Sequence, residues 1–270
     1  MKTLPSLGAS LYGLLWSGGV LKNPYAQDLF NFFYFKYKKY AEDPFSRLVK
    51  SYPGIFQNGH LVDVGANTGY TALLFASAMS GGFKLFAFEP EEQNFNLLTR
   101  GIRNRNLEGR IVPLRAAIGN TSGTIDLWAN RKNPGDHRVL TPDFSRLKGP
   151  VESQKVPIWK LDDLLEKMKL AEPIVFIKVD VQGYEGPVCE GMTDLLRRNP
   201  RVVVALEYFP LGMRDLGFEP RQLLDFFRTR NFLIYTLRLS DGLRRSDYSA
   251  VENNVKQEDY VDLIFSPYEL

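Results

Sequence analysis

Residues 61–76, LVDVGANTGYTALLFA, decide the fold. A short apolar run closes on Asp63, a turn of small residues carries Gly65 and Gly69, and a helical pattern follows from about Tyr70. Strand, glycine turn and helix in that order form the opening unit of an alternating α/β chain. Glycine at such a corner lets main chain come close to a ligand, because a Cβ would collide with it or forbid the required φ. The spacing D-x-G-x-x-x-G departs from the G-x-G-x-x-G that seats a pyrophosphate on a helix N-terminus. A dinucleotide is therefore not what this turn predicts.

The alternation continues on both sides of the corner. HLVDVG at 60–65 is followed by KLFAFE at 84–89, then a helix opened by Pro90 with Phe95, Leu98 and Ile102 on one face, then RIVPLRAAIG at 110–119. GTIDLWA (123–129) and ESQKVPIW (152–159) read as two strands flanking a long Pro/Gly/Arg-rich connection at 130–150, either a functional lid or a disordered excursion. Helices are expected at KLDDLLEKM (160–168), around Val188, Met192, Leu195 and Leu196, and at 219–230. Strands are expected at IVFIKVD (174–180), RVVVALE (201–207), FLIYTLR (232–238) and YVDLIFS (260–266), with a polar link between the last two. Strands without polar alternation are buried on both faces. The expected architecture is a doubly wound α/β, Rossmann-like sheet, mostly parallel with an antiparallel last strand, over residues 59–270. An N-terminal helical extension covers 1–58, and a hairpin with its lid is inserted.

Composition narrows the partners. The chain has 270 residues, and its 34 basic and 31 acidic side chains give a formal charge of +3, too even to require a nucleic acid or a membrane surface. One cysteine, Cys189, excludes an internal disulfide and a multi-cysteine zinc cage and fits a reducing cytoplasm. Near the N-terminus, Pro5 with serines and glycines breaks an apolar segment short of a membrane span, and no cleaved signal is expected. Phe30, Phe33, Tyr34 and Tyr37 recur at helical spacing away from Lys36, Lys38 and Lys39, which predicts a stripe packed on the domain.

Ligands of doubly wound sheets bind beyond the carboxyl ends of the strands, where strand order reverses. Glu89 ends the second strand, where a carboxylate can accept hydrogen bonds from both ribose hydroxyls. Ribose recognition and close backbone approach without a pyrophosphate site suggest a nucleoside carrying an amino acid, S-adenosylmethionine. Asp180 falls on the same rim.

Six blocks, in order, carry a family resemblance: VDVGANTGYTALLFA, FAFEPEEQNFNLL, AAIGNTSGTIDLW, PIWKLDDLL, IKVDVQGYEGPVCEGMTDLL and VVVALEYFP. Across roughly residues 59–210 the chain resembles the FkbM family of S-adenosylmethionine-dependent methyltransferases. The resemblance implies a class I methyltransferase fold and O-methylation of a sugar, glycan or secondary metabolite. It also implies that Asp63, Gly65, Ala66, Asn67, Thr68, Gly69 and Tyr70 surround the methionine end of the cofactor. Glu89, followed by Pro90, would hold the ribose, and Ala116 or Ala117 would border the adenine. The family commonly carries Glu and Phe where this chain has Gln182 and Tyr184.

Methylating a hydroxyl calls for alignment and for a base, because an alcohol is protonated at neutral pH. Three candidates emerge: Asp180 and Glu207 at the ends of adjacent strands, and His137 in the long connection. The two acids either take the proton or bind a divalent cation, the less favoured alternative; no metal ligands are assigned. Structural roles are expected for Glu185 at a helix start, for Cys189 in a core and for His60, and a solvated helix end for 103–106. The competing functions are a nicotinamide-dependent oxidoreductase and a cofactor-binding protein without turnover. Acceptor identity and oligomeric state have no signature in the sequence.

Overall fold

The computed structural model describes residues 43–270 apart from 131, 132, 134 and 256–258, together with Phe33, Phe35 and Tyr37. In chain order, α1 (Phe45–Ser51) leads into β1 (His60–Val64), α2 (Tyr70–Ala78), β2 (Leu85–Phe88), α3 (Glu92–Arg103) and β3 (Ile111–Leu114). Next come β4 (Ala117–Ile118), β5 (Gly123–Trp128), β6 (Arg138–Val139), α4 (Pro142–Lys148) and β7 (Ser153–Trp159). Alternation resumes with α5 (Leu161–Met168), β8 (Ile174–Val179), α6 (Glu185–Glu190), α7 (Thr193–Arg198), β9 (Val203–Tyr208), α8 (Pro210–Asp215) and α9 (Pro220–Arg228). The chain closes with β10 (Leu233–Arg238), β11 (Gly242–Arg245), α10 (Tyr248–Asn254) and β12 (Val261–Ser266).

The main sheet has eight strands in the order β11-β10-β12-β9-β8-β1-β2-β3. From β9 to β3 every pairing is parallel, whereas β12 is antiparallel to both β9 and β10, as expected of the last strand. The order reverses between β1 and β8, so the crevice beyond their carboxyl ends is the place for a ligand. A second sheet, β4-β7-β5-β6, is the inserted hairpin with two short strands added.

Alternation along the buried strands divides the core in two. Val62, Phe86, Ile177 and Val204 face one side with Ile118, Leu127 and Val156 of the second sheet. Leu61, Leu85, Phe176 and Val203 face the other, under Phe56 and Phe75. Phe56 stacks on Phe75 with centroids 5.3 Å apart and meets Phe176 at 4.6 Å. Each such burial contributes roughly 1.5–3 kcal/mol. Residues 45–56 therefore belong to the domain core, and packing continues across the expected boundary at 58/59. On this second face the alternation ends in charge: Asp63, Glu89, Lys178 and Glu207 continue the register of Leu61, Ala87, Phe176 and Ala205.

Several expectations need correcting. The connection at 130–150 is folded where described, with β6 and α4, the latter capped by Thr141 Oγ1 accepting from Phe144 N at 3.2 Å. The single helix around Val188–Leu196 is two, α6 and α7, and between them Gly191 packs so close to Gly119 that a Cβ would lie 2.0 Å from its carbonyl oxygen. The polar link before β12 contains β11 and α10. Of the aromatic stripe, Phe33 and Tyr37 are exposed; Phe35, outside the stripe, meets Tyr70 edge-on at 5.5 Å. Phe30, Tyr34, Lys36, Lys38 and Lys39 lie outside the described residues. No helix among the described residues is long and apolar enough to cross a membrane.

Candidate active site

The corner after β1 is built against the end of β8. Gly65 has φ +78°, and a Cβ there would lie 1.9 Å from the carbonyl oxygen of Asp180. At Gly69, φ +94°, a Cβ would lie 2.8 Å from Leu98 of α3. Glycine is thus required at 65 by the protein's own close packing and at 69 by its left-handed φ, where the sequence pointed to a ligand. Gly65 N and Ala66 N donate to Phe88 O at 3.0 and 2.9 Å, which ties the corner to β2.

Lys178 organises the middle of the rim. It sits directly across from Asp63 in the β1/β8 register, and both side chains are buried. Its Nζ donates to Gly65 O at 3.2 Å and lies 3.2 Å from Asp180 Oδ2 and 3.5 Å from Asp63 Oδ1. Burial works against the ammonium, but Asp180 and Asp63 outweigh it and raise its pKa, so Lys178 is charged. Burial pushes the Asp63 carboxyl up, while Lys178 and the hydroxyl of Thr71, which donates to Oδ2 at 2.7 Å, pull it down.

Asp180 and Glu207 are brought together, and a single amide joins them. Gln182 Nε2 donates to Asp180 Oδ1 at 3.0 Å and to Glu207 Oε2 at 2.9 Å. Gln182 reaches both because it stands at φ +56°, followed by Gly183 at +103° against the Gly212 carbonyl of α8. Burial pushes the Glu207 carboxyl well above the usual carboxylate range, and Asp180, Asp262 and Glu185 add to it. The pair is thus asymmetric: Asp180 contacts the Lys178 ammonium at 3.2 Å, while Glu207 favours its proton.

Glu89 closes β2 in a buried position beside the corner. Oε2 accepts from Asn67 N at 2.8 Å and Oε1 from Glu91 N at 2.9 Å, so the plane of the carboxylate is fixed. Each oxygen keeps a lone pair for a hydroxyl donor. Burial pushes the group up to about 8, against the pull of those two N–H donors. Ala66, Thr68 and Tyr70 are buried around the turn, and Asn67 holds φ +50° with its Oδ1 accepting from Thr68 N. Pro90 follows Glu89 half-buried, and Ala116 and Ala117 are buried where β3 passes into β4.

A strap crosses this rim. At one end, a Cβ on Gly135 would lie 4.0 Å from Asn67 Nδ2. At the other, Arg138 bonds Asp136 at 2.6 Å and Asp215 of α8 at 3.1 Å, with its guanidinium over Phe144 and Phe209. His137 lies between these anchors. Its Nδ1 accepts from Asn130 N at 3.0 Å, and Nε2 is buried without a hydrogen-bond partner among the described residues. Burial lowers its pKa to about 4, so the ring is neutral at pH 7 with its proton on Nε2. In that tautomer Nε2 is a donor, not the base expected from the sequence.

Other acids and polar groups serve the fold. Glu185 accepts from Val181 N and Gly183 N at 3.0 Å each and pins the loop that presents Gln182; burial pushes it up to about 7. His60 accepts from Lys84 N, Cys189 is buried in the core, and residues 104–106 are exposed at the end of α3. Among the described residues, no group of three or more His, Cys, Asp or Glu is arranged to hold a metal ion. Sequence reasoning missed Lys178, Gln182 as a bridge, and Arg138 with Asp215. A usable signal existed for Lys178, since a lysine inside the doubly buried run IVFIKV needs partners.

A family model described as the methyltransferase FkbM domain matches residues 63–234. Over 151 residues the chain is 31% identical to the hexuronic acid methyltransferase AglP of Haloferax volcanii, covering 54% of this chain and 55% of that protein. Over 193 residues it is 24% identical to the methyltransferase sdnD of Sordaria araneosa, covering 60% and 74%. The crystal structure of a methyltransferase FkbM from Methylobacillus flagellatus superposes with a TM-score of 0.50 at 18% identity, covering 89% of this chain and 53% of that one. The chain thus spans about half the length of the first relative and of that solved chain, and the solved structure supports the fold.

Proposed function

The chain belongs to the FkbM methyltransferase family, and we propose that it transfers a methyl group from S-adenosylmethionine to a hydroxyl of a sugar, glycan or secondary metabolite. The observation that carries this reading is the convergence on one rim of Glu89, fixed by two backbone donors, with Asp63, Asp180 and Glu207 around a charged lysine. When bound, S-adenosylmethionine supplies an electrophilic methyl carbon on a positive sulfur. The free lone pairs of the buried Glu89 carboxylate suit vicinal ribose hydroxyls. Asp63, Asp180 and the 65–70 turn suit the amino-acid end, and Ala116 and Ala117 offer a small apolar edge to a base.

The proton of the acceptor hydroxyl goes to the Asp180–Glu207 pair. Such a base contributes roughly 10²–10⁴-fold. His137, with Nε2–H as donor, would hold an acceptor oxygen under the strap. A sugar acceptor gains support from the hexuronic acid specificity in the name of the archaeal relative. Cytoplasmic location and independence from metal complete the reading.

Calorimetry tests it. Wild-type protein should bind S-adenosylmethionine and S-adenosylhomocysteine but not NAD, and Glu89→Ala should weaken both nucleosides by about 10²-fold or more. S-Adenosylhomocysteine should form only when a hydroxylated acceptor, such as a hexuronate glycoside, is present, and a chelator should leave the rate unchanged. NAD binding would favour the oxidoreductase instead, and donor binding without turnover on any hydroxylated acceptor would leave a binding protein.

A further inference from the structure

Lys178 is used by no step above, yet it touches three groups that would surround the sulfur. It is 5% exposed, its partners Asp63 and Asp180 are 0% and 35% exposed, and its third contact is the Gly65 carbonyl. We propose that Lys178 sets the balance between the charged methyl donor and its neutral product, by offsetting the Asp63 and Asp180 carboxylates that would otherwise favour a positive sulfur. This rests on the function proposed above and deepens it.

The physical basis is the charge change of the reaction. The acceptor oxygen bonds to the methyl carbon as the carbon–sulfur bond breaks and its electron pair stays on sulfur. The acceptor's proton passes to the carboxylate pair, and the positive charge on sulfur is gone. Two uncompensated carboxylates at this place would hold the ground state more tightly than a transition state in which that charge fades. One ammonium shared between them halves the local negative charge. In a site screened from water such an imbalance is felt over several ångströms. Lys178 therefore gives up donor affinity in exchange for rate, and strengthens product binding relative to donor binding.

The test is the ratio of dissociation constants for S-adenosylhomocysteine and S-adenosylmethionine, measured by calorimetry on the full chain. A merely structural role lowers both affinities together and leaves the ratio alone. Lys178→Met should raise the product-to-donor ratio by about tenfold, which is ~1.4 kcal/mol. Asp180→Asn should lower it by a similar factor, the opposite sign. Opposite shifts support the proposal, and if Lys178→Met does not fold, Lys178→Gln, which also removes the charge, takes its place with the same expected rise. Unmoved or same-sign ratios in folded variants overturn the proposal while leaving the methyltransferase reading intact. Wild-type protein that binds neither nucleoside overturns that reading and this inference with it.

Discussion

Both ends of the central sheet gather acids, and they use them differently. Near the start of β8, Asp162 accepts from Leu195 N at 2.7 Å and Asp194 N at 3.0 Å, capping α7 from outside, beside Asp163, Glu166, Glu172 and Asp194 in an open groove. At the finishing end, Asp180 and Glu207 bond the side chains of Lys178 and Gln182. A carboxylate saturated by backbone amides is fixed and serves the fold. One held by side chains can exchange them for a ligand, and under the proposed function this marks Asp180 and Glu207 as acids for chemistry, with Glu89 the case that crosses the division.

The largest effect is expected where the finishing end is built. Gly65→Ala places a methyl group 1.9 Å from the Asp180 carbonyl at φ +78°, and should cost about 3 kcal/mol or more in urea unfolding and abolish donor binding. Gly81, in the loop at the other end, has nothing within 4 Å of its missing Cβ. Gly81→Ala should stay within about 0.5 kcal/mol of wild type. Equal costs would mean that the rim is no more tightly constrained than a surface loop.

The acids themselves come next. Glu207→Gln and Asp180→Asn should each cut turnover by roughly 10²–10⁴-fold. Glu207→Gln should keep or raise stability, since it removes a buried acid that Asp180, Asp262 and Glu185 all disfavour. Asp162→Ala should do the reverse, losing about 1 kcal/mol with turnover intact. Turnover that falls with Asp162 would erase the distinction.

Gln182→Glu sharpens it further. A third carboxylate within 3.0 Å of Asp180 and Glu207 removes the donor they share and makes ionisation of Glu207 harder. Activity in wild type should rise with pH as that raised group loses its proton. In the variant the same limb should move to higher pH, with about a tenfold loss at neutral pH. An unshifted profile would place the base elsewhere.

Much of this arrangement was legible in the sequence. Buried runs such as LFAF and VVALEY fix a parallel sheet because nothing in them alternates, and the acids closing those runs fall on the rim by strand period alone. Gly65 was legible as necessary, but the cause was not, since the Asp180 carbonyl that fills the space lies 115 positions away. Gln182 looked like a lost carboxylate because its value lies in a bridge that exists only once β8 and β9 pair. The tautomer of His137 depends on Asn130 N, a contact made by the strap's own turn, which no residue pattern encodes. Local periodicity reaches the ends of strands, and what those ends do is decided by partners distant in the chain.

Glu89 is the acid that tests the division most finely, being on the rim yet held by backbone N–H groups as Asp162 is. Burial pushes it up to about 8 from an ordinary 4.5. A carboxyl raised in this way lends stability below its unfolded value of about 4.5, and loses it as pH climbs through about 8, because the folded state alone retains the proton in between. Glu89→Gln should therefore flatten the fall in melting temperature over that window. Ribose hydroxyls donating to the two oxygens would favour the ionised form, so donor binding should release a fraction of a proton between those values and none above them. Calorimetry in two buffers of different ionisation enthalpy measures that release, and donor affinity should rise by less than tenfold per pH unit. If Glu89→Gln releases as many protons as wild type, Glu89 belongs with Asp162 as a purely structural acid, and the ribose must be held by another group.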